Sequence, residues 1–159
     1  MCVIGTIRMI QNGHSRELAQ VDLLRFGEEA IRQRLVDKGY PYDSELVVAG
    51  ISDWNIDTIL TFQEVSLLKL CYEELYDHNE YIISFLLQHH WKVLDVVSVY
   101  YKFASKDEVE ALNLLLKDCD KAEIIRTFYQ ANTWINCMQA YLSSGELLNT
   151  PNGFYRKVS

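Results

Sequence analysis

Carboxylates are the most concentrated chemically capable side chains of this sequence. Residues 41–80 carry nine acids against a single base, Lys69, a net of −8, whereas the whole chain of 159 residues has a net charge of −7. The nine acids are Asp43, Glu45, Asp53, Asp57, Glu64, Glu73, Glu74, Asp77 and Glu80. Glu73, Glu74 and Asp77 could in principle do acid–base catalysis, but neighbouring acids on an exposed helix face are usually solvated. The charge pattern therefore predicts a negative surface field rather than a catalytic site.

Metal, nucleophilic and nucleotide chemistry have no positive motif in the chain. His89 and His90 precede Asp95, but adjacent helical side chains project about 100° apart and do not easily face one ion. The sequence has no Cys-x-x-Cys, His-Glu-x-x-His or Gly-x-Ser-x-Gly motif, and its seven glycines are dispersed. We therefore expect no enzyme activity, no metal and no cofactor.

Composition indicates a small globular protein of the cytoplasm. The chain is 49% hydrophobic with two prolines, which excludes wholesale disorder. Its apolar runs are far shorter than the ~20 residues of a transmembrane helix, and its first residues lack the pattern of a signal peptide. Cys2, Cys71, Cys119 and Cys137 are scattered, which is typical of reduced thiols. The pI of about 5.0 argues against direct nucleic-acid binding through a basic face.

The first fifty residues predict a β-β-α-β unit. Residues 2–10 are rich in β-formers, Asn12 and Gly13 favour a tight turn, and residues 15–23 form a second candidate strand. Residues 26–38 change to a helical period that Gly39 terminates. A β-branched run over 46–51 completes the unit.

Helix-capping patterns organise the centre of the chain. Thr61 and Glu64 form a capping box that opens a helix over about 62–76. Asp77 and Glu80 resemble a second box for a helix that ends near Gln88, and we expect the two helices to pack as an antiparallel pair.

The C-terminal part predicts further helices and a closing hairpin. Residues 96–103 favour a strand, with helix as the open alternative. Boxes at Ser105 and Asp120 predict helices over about 106–118 and from 120, and a further helix follows near 132–142. Pro151 then predicts a terminal hairpin. The expected fold is α+β, in three parts at 1–60, 61–104 and 105–159.

Four stretches of this sequence resemble the ArdA antirestriction family of conjugative elements and phages. They are residues 7–18 around the Asn12–Gly13 turn; Glu45-Leu-Val-Val-Ala-Gly-Ile-Ser-Asp53-Trp54 followed by the helix start at 61–68; residues 83–95; and Gly145-Glu-Leu-Leu-Asn-Thr-Pro-Asn-Gly-Phe-Tyr155. The resemblance implies an elongated homodimer that mimics B-form DNA and competitively inhibits type I restriction–modification enzymes. It implies that the nine acids of residues 41–80, together with Asp95, bind the partner enzyme.

Two other interpretations remain open at this point. An interaction adaptor from a phage or mobile element could dock a partner through exposed Trp54, Trp91 or Trp134, although core packing is the commoner role of tryptophan. An enzyme using His89, His90 and nearby carboxylates is the weakest alternative.

Overall fold

The computed structural model describes residues 3–117, 122–123, 126 and 134–158. It is an α+β protein with two antiparallel sheets, as the sequence predicts. Its contacts group into two compact units, Met1–Ser98 and Val99–Ser159. The division into three parts stays a prediction beside this grouping.

The first unit is built on a four-stranded sheet. Its elements are β1 (Ile4–Gln11), β2 (His14–Asp22), α1 (Glu28–Asp37), β3 (Glu45–Ile51), a 3-10 turn (Ser52–Trp54), β4 (Ile56–Leu60), α2 (Phe62–Glu74), α3 (Tyr81–Gln88) and α4 (Val93–Val97). The strand order is β2-β1-β3-β4, and all neighbours are antiparallel. Asn12 and Gly13 both have positive φ, as a type I′ hairpin requires. The predicted β-β-α-β order is confirmed, and β4 is an additional strand that the sequence patterns missed.

Successive side chains of a strand point to opposite faces of the sheet, and one face of this sheet packs into the core. Ile7 on β1 pairs with Val48 on β3, and both are fully buried. The helix α2 packs on β3 and turns a stripe that includes Val65 and Leu68 inward. The helix α4 contacts both α2 and α3, whereas α2 and α3 make few direct contacts, so the expected antiparallel pair is not confirmed and α4 links the two helices.

The two predicted capping boxes of this unit have opposite outcomes. The first is confirmed: the Glu64 amide donates to Thr61 Oγ1 at 3.1 Å, and the Thr61 amide donates to Glu64 Oε1 at 3.0 Å. The second is wrong, because Asp77 and His78 adopt left-handed conformations in the loop and α3 begins only at Tyr81. A tight chain reversal needs such residues, and an aspartate tolerates the conformation better than most side chains.

The second unit has a three-stranded sheet in the order β5-β7-β6. Its elements are β5 (Tyr101–Ser105), α5 (Glu108–Lys117), α6 (Trp134–Ser144), β6 (Leu147–Thr150) and β7 (Gly153–Lys157). The buried cluster of this unit includes Leu112, Met138 and Leu147. The predicted terminal hairpin is confirmed as β6 and β7.

Two local predictions in this region differ from the structure, and a third lies outside the described residues. The strand predicted over 96–103 starts at Tyr101, because residues 93–97 form α4. The side-chain cap of α5 is Asp107, whose Oδ1 accepts from the Glu110 amide at 3.0 Å, whereas Ser105 Oγ accepts from the Asp107 amide. The box predicted at Asp120 lies outside the described residues.

Candidate acidic binding surface

All ten predicted partner-binding carboxylates lie in the first unit and reach solvent. Three of them, Glu64, Glu73 and Glu80, are half-buried at the residue level. The other seven, Asp43, Glu45, Asp53, Asp57, Glu74, Asp77 and Asp95, are exposed. We call the ten together the acidic surface.

The helix α2 divides most of the acidic surface into two groups. Glu64 lies in its first turn, and we group with it the two acids at the start of β3, the strand whose Val48 pairs with Leu60 just before α2: Asp43 and Glu45. This is the N-end cluster. The thirteen residues of α2 extend about 20 Å to its other end.

The larger group surrounds the C-terminal end of α2. It consists of Asp53, Asp57, Glu73, Glu74, Asp77 and Glu80, and we call it the C-end cluster. The turn that carries Asp53 reaches this end because the rings of Trp54 and Tyr72 lie 5.8 Å apart between centroids. Asp95 belongs to neither cluster, since it is exposed on α4.

Buried contacts hold the turn of the C-end cluster in place. Trp54 is only 4% exposed, and its carbonyl oxygen accepts a hydrogen bond from Gln88 Nε2 at 2.8 Å. Gly50 has φ +106°, and a Cβ there would lie 2.6 Å from the Ile56 carbonyl oxygen. These contacts make Trp54 a core residue, as the commoner role of tryptophan suggested. They also identify two positioning residues that sequence patterns missed, Gly50 and Gln88.

Little positive charge compensates the acidic surface within the described part of the chain. There, none of its carboxylates lies within 4.0 Å of a lysine or arginine nitrogen, and the ion pairs found are Arg32 with Glu28 and His78 with Asp77. Lys69, the single base of residues 41–80, donates from Nζ to the Leu24 carbonyl oxygen at 3.1 Å. The negative charge of the acidic surface is therefore largely unneutralised and available to a partner.

Two of the ten carboxylates also have structural partners. Asp53 Oδ2 accepts from the Ile4 amide at 2.6 Å, which ties the turn to β1. Glu64 completes the capping box of α2. These two side chains therefore contribute to the fold as well as to the negative field.

The position of the C-end cluster is unfavourable for the helix that carries it. The C-terminal end of a helix carries a partial negative charge, so basic residues are the favourable ones there. The last turn of α2 contains no base and instead ends in Glu73 and Glu74, with Asp77 following. Burial, with Glu80 and then Glu73 adding to it, raises the pKa of Tyr72. Stability of α2 does not explain these acids.

The histidines of the enzyme hypothesis have local partners or face solvent. His89 Nδ1 lies 2.8 Å from the Phe85 carbonyl oxygen, and its ring centroid is 4.2 Å from that of Phe85. His90 is exposed in a left-handed conformation. Within the residues that the structure describes, no three His, Cys, Asp or Glu side chains are grouped to hold a metal ion.

No helix among the described residues has the length and hydrophobicity to cross a membrane.

Comparison with known proteins adds no relative. No protein-family model, no curated protein and no solved structure matches the chain.

Proposed function

We propose that this protein is an antirestriction DNA mimic that competitively inhibits type I restriction–modification enzymes. The acidic surface would occupy the channel in which the enzyme binds duplex DNA. The observation that carries the proposal is the C-end cluster. Among the described residues its acids have no lysine or arginine partner, and two of them, Glu73 and Glu74, oppose the dipole of α2. Local rules of stability are commonly broken where a protein binds or acts.

The density of negative charge supports mimicry of a duplex. B-form DNA carries one charge per ~1.7 Å of axis, so a segment as long as α2 carries about 12 charges. The nine acids of residues 41–80 surround the two ends of that helix. The two charge densities are therefore of the same order.

Preorganisation is the second physical support. If flexible carboxylates become ordered only when the partner binds, the conformational entropy that they lose weakens the binding. Here the capping box holds Glu64, and the backbone bond from Ile4 holds Asp53. The contact between Trp54 and Tyr72 joins the two halves of the C-end cluster before any partner arrives.

The mechanism that we propose is non-catalytic and uses no cofactor or metal. The protein would act as a homodimer in the cytoplasm, would serve a phage or mobile element, and would bind neither nucleic acid nor membrane directly. Inhibition follows from mutual exclusion, because fixed carboxylates take the place of the phosphates.

Competition tests the proposal directly. The purified protein is titrated against a fluorescent duplex bound to a type I restriction–modification enzyme, at about 0.05 M and about 0.5 M salt. We expect displacement of the duplex that weakens as salt rises, because the interaction is between charges.

A charge-matched pair of variants locates the interaction. Replacing Glu73, Glu74 and Asp77 together by lysine should abolish displacement. The control replaces Glu17, Asp37 and Glu146 by lysine, which are exposed acids outside the acidic surface and change the net charge equally. Equal displacement by both triple variants, each folded by circular dichroism, would contradict a role of the C-end cluster.

An interaction adaptor is the second candidate function. Three large apolar side chains of the first unit are more than half exposed: Ile59 (65%), Leu70 (57%) and Leu94 (68%). Trp54 cannot serve as the docking residue because it is buried. An adaptor surface of this kind predicts a partner that stays bound at high salt.

A further inference from the structure

A groove of about 200 Å³ lies between the loop before α1 and the helix α2. Its walls are largely apolar and include Leu23, Phe26, Phe62, Val65 and Leu70. Small-molecule sites usually measure ~300–1,000 Å³, so this groove has room for one or two side chains of a peptide rather than for a cofactor. Lys69 also lines it, and its bond to the Leu24 carbonyl oxygen holds the loop against α2.

Two arginines flank an aromatic ring in the wall of this groove. The Cζ atoms of Arg25 and Arg34 lie 5.4 Å and 4.8 Å from the centroid of Phe26. The two guanidinium carbons are thus no more than about 10 Å apart. Both arginines are exposed, and neither has a carboxylate within 4.0 Å among the described residues.

Two unneutralised like charges held on one ring repel each other, and an anion that binds both removes the repulsion. A guanidinium presents its donors in a planar fork that matches a carboxylate. Because the Phe26 ring already packs against two cations, it is poorly available for stacking a nucleic-acid base. Glu28 and Glu73 also line the groove. Arg32 pairs with Glu28, whereas Glu73 has no such partner among the described residues and favours an occupant with two separated charges over a continuous polyanion. The chemistry therefore favours a short acidic peptide.

We propose that the groove and the two arginines form a docking site for an acidic peptide segment of another protein. One large apolar side chain of that segment fills the groove beside Phe26, and carboxylates on either side of it bind Arg25 and Arg34. The site shares Glu73 with the acidic surface, but it binds its occupant through the apolar walls of the groove and through the two arginines. It goes beyond the proposed antirestriction function and does not depend on it.

A fluorescein-labelled peptide of the pattern Glu-Leu-Glu, flanked by Gly-Ser, is the first probe, and fluorescence anisotropy measures its binding. A second probe has alanine in place of leucine. We expect it to bind the full-length protein roughly fiftyfold more weakly, because three buried carbon groups are lost. Equal affinity of the two probes would overturn the role of the groove.

Two variants test the halves of the site separately. Replacing Arg25 and Arg34 together by glutamine should weaken the leucine probe roughly tenfold, since two charge-assisted contacts are lost. The matched control replaces Arg16 and Lys92, which are exposed elsewhere in the first unit, and should leave the affinity unchanged. Equal losses in both double variants would overturn the role of the arginines.

The change Ser66→Phe fills the groove from an exposed position of α2 and should abolish binding of the leucine probe. Unimpaired binding to this folded variant would also contradict the proposal. The arginine double variant should still displace duplex DNA from a restriction enzyme as the native chain does. This readout keeps failure of the docking site distinct from failure of the proposed function.

Discussion

The ring of Trp54 lies 5.8 Å from the ring of Tyr72, and this contact joins the turn after β3 to the C-terminal end of α2. Both residues are almost completely buried. Asp53 precedes Trp54 and Glu73 follows Tyr72, so the contact fixes the relative position of two backbone segments whose acids are twenty positions apart in sequence. The spacing of the C-end cluster is therefore a property of the core beneath it.

The change Trp54→Ala should lower the free energy of unfolding by about 3–5 kcal/mol, because it leaves a large cavity under the turn. Urea denaturation measures the loss. The matched control is Ile59→Ala on the neighbouring strand β4, where the side chain is 65% exposed and the loss should stay within about 0.5 kcal/mol. Similar losses in the two variants would show that Trp54 does not anchor the turn.

The two ends of α2 should respond in opposite ways to removal of a glutamate. Glu64→Ala breaks the capping box and should cost about 1 kcal/mol. Glu74→Ala removes a charge that interacts unfavourably with the helix dipole. This change should raise the free energy of unfolding by about 0.3 kcal/mol or more at low salt.

Thermal unfolding of both α2 variants, at low and high salt, measures whether Glu64→Ala lowers stability and Glu74→Ala raises it. The gain from Glu74→Ala should shrink as salt screens the dipole. A loss of stability at both positions would contradict the argument that the C-end cluster is unfavourable for the fold.

The backbone at Gly50 should tolerate no side chain. Its φ of +106° is strained for any L residue, and an alanine Cβ would lie 2.6 Å from the Ile56 carbonyl oxygen. We expect Gly50→Ala to cost at least about 2 kcal/mol in urea denaturation. Gly27→Ala meets no atom within 4 Å and should cost less than about 1 kcal/mol.

Stability should fall in alkaline solution through groups that the fold keeps neutral. Burial raises the pKa of the Cys71 thiol from its ordinary 9.0. Burial and then the charge of Glu146 raise the pKa of Tyr101 from its ordinary 10.0. Because the pKa of each group is higher in the folded state than in the unfolded state, keeping the group neutral contributes to the stability of the fold. That contribution is fully present below the unfolded-state pKa and is lost as pH rises through the folded-state pKa.

Urea denaturation between about pH 8 and about pH 11 measures this loss. The variant Tyr101→Phe cannot ionise at this position and should have a shallower decline, although it loses the hydrogen bond to the Gly145 carbonyl oxygen, worth about 1 kcal/mol. An unchanged slope in this variant would exclude Tyr101 as a source of the alkaline loss.

Local patterns in the sequence were enough to predict most elements of the fold. The turn at Asn12 and Gly13, the capping box at Thr61 and the terminal hairpin each depend on a few adjacent residues, and all three are confirmed. The box predicted at Asp77 failed because Asp77 and His78 adopt left-handed conformations in the loop, which moves the cap position of α3 to Glu80. The strand β4 was missed because five residues carry too little periodicity.

The sequence by itself determined how much charge lies between residues 41 and 80, since composition needs no coordinates. Only the tertiary structure decided where that charge is held. The contact of Trp54 with Tyr72 places the turn that carries Asp53 near the C-terminal end of α2, and the bond from the Ile4 amide fixes the Asp53 carboxylate. Such contacts join residues that are distant along the chain, and their geometry depends on burial and packing that no local pattern encodes.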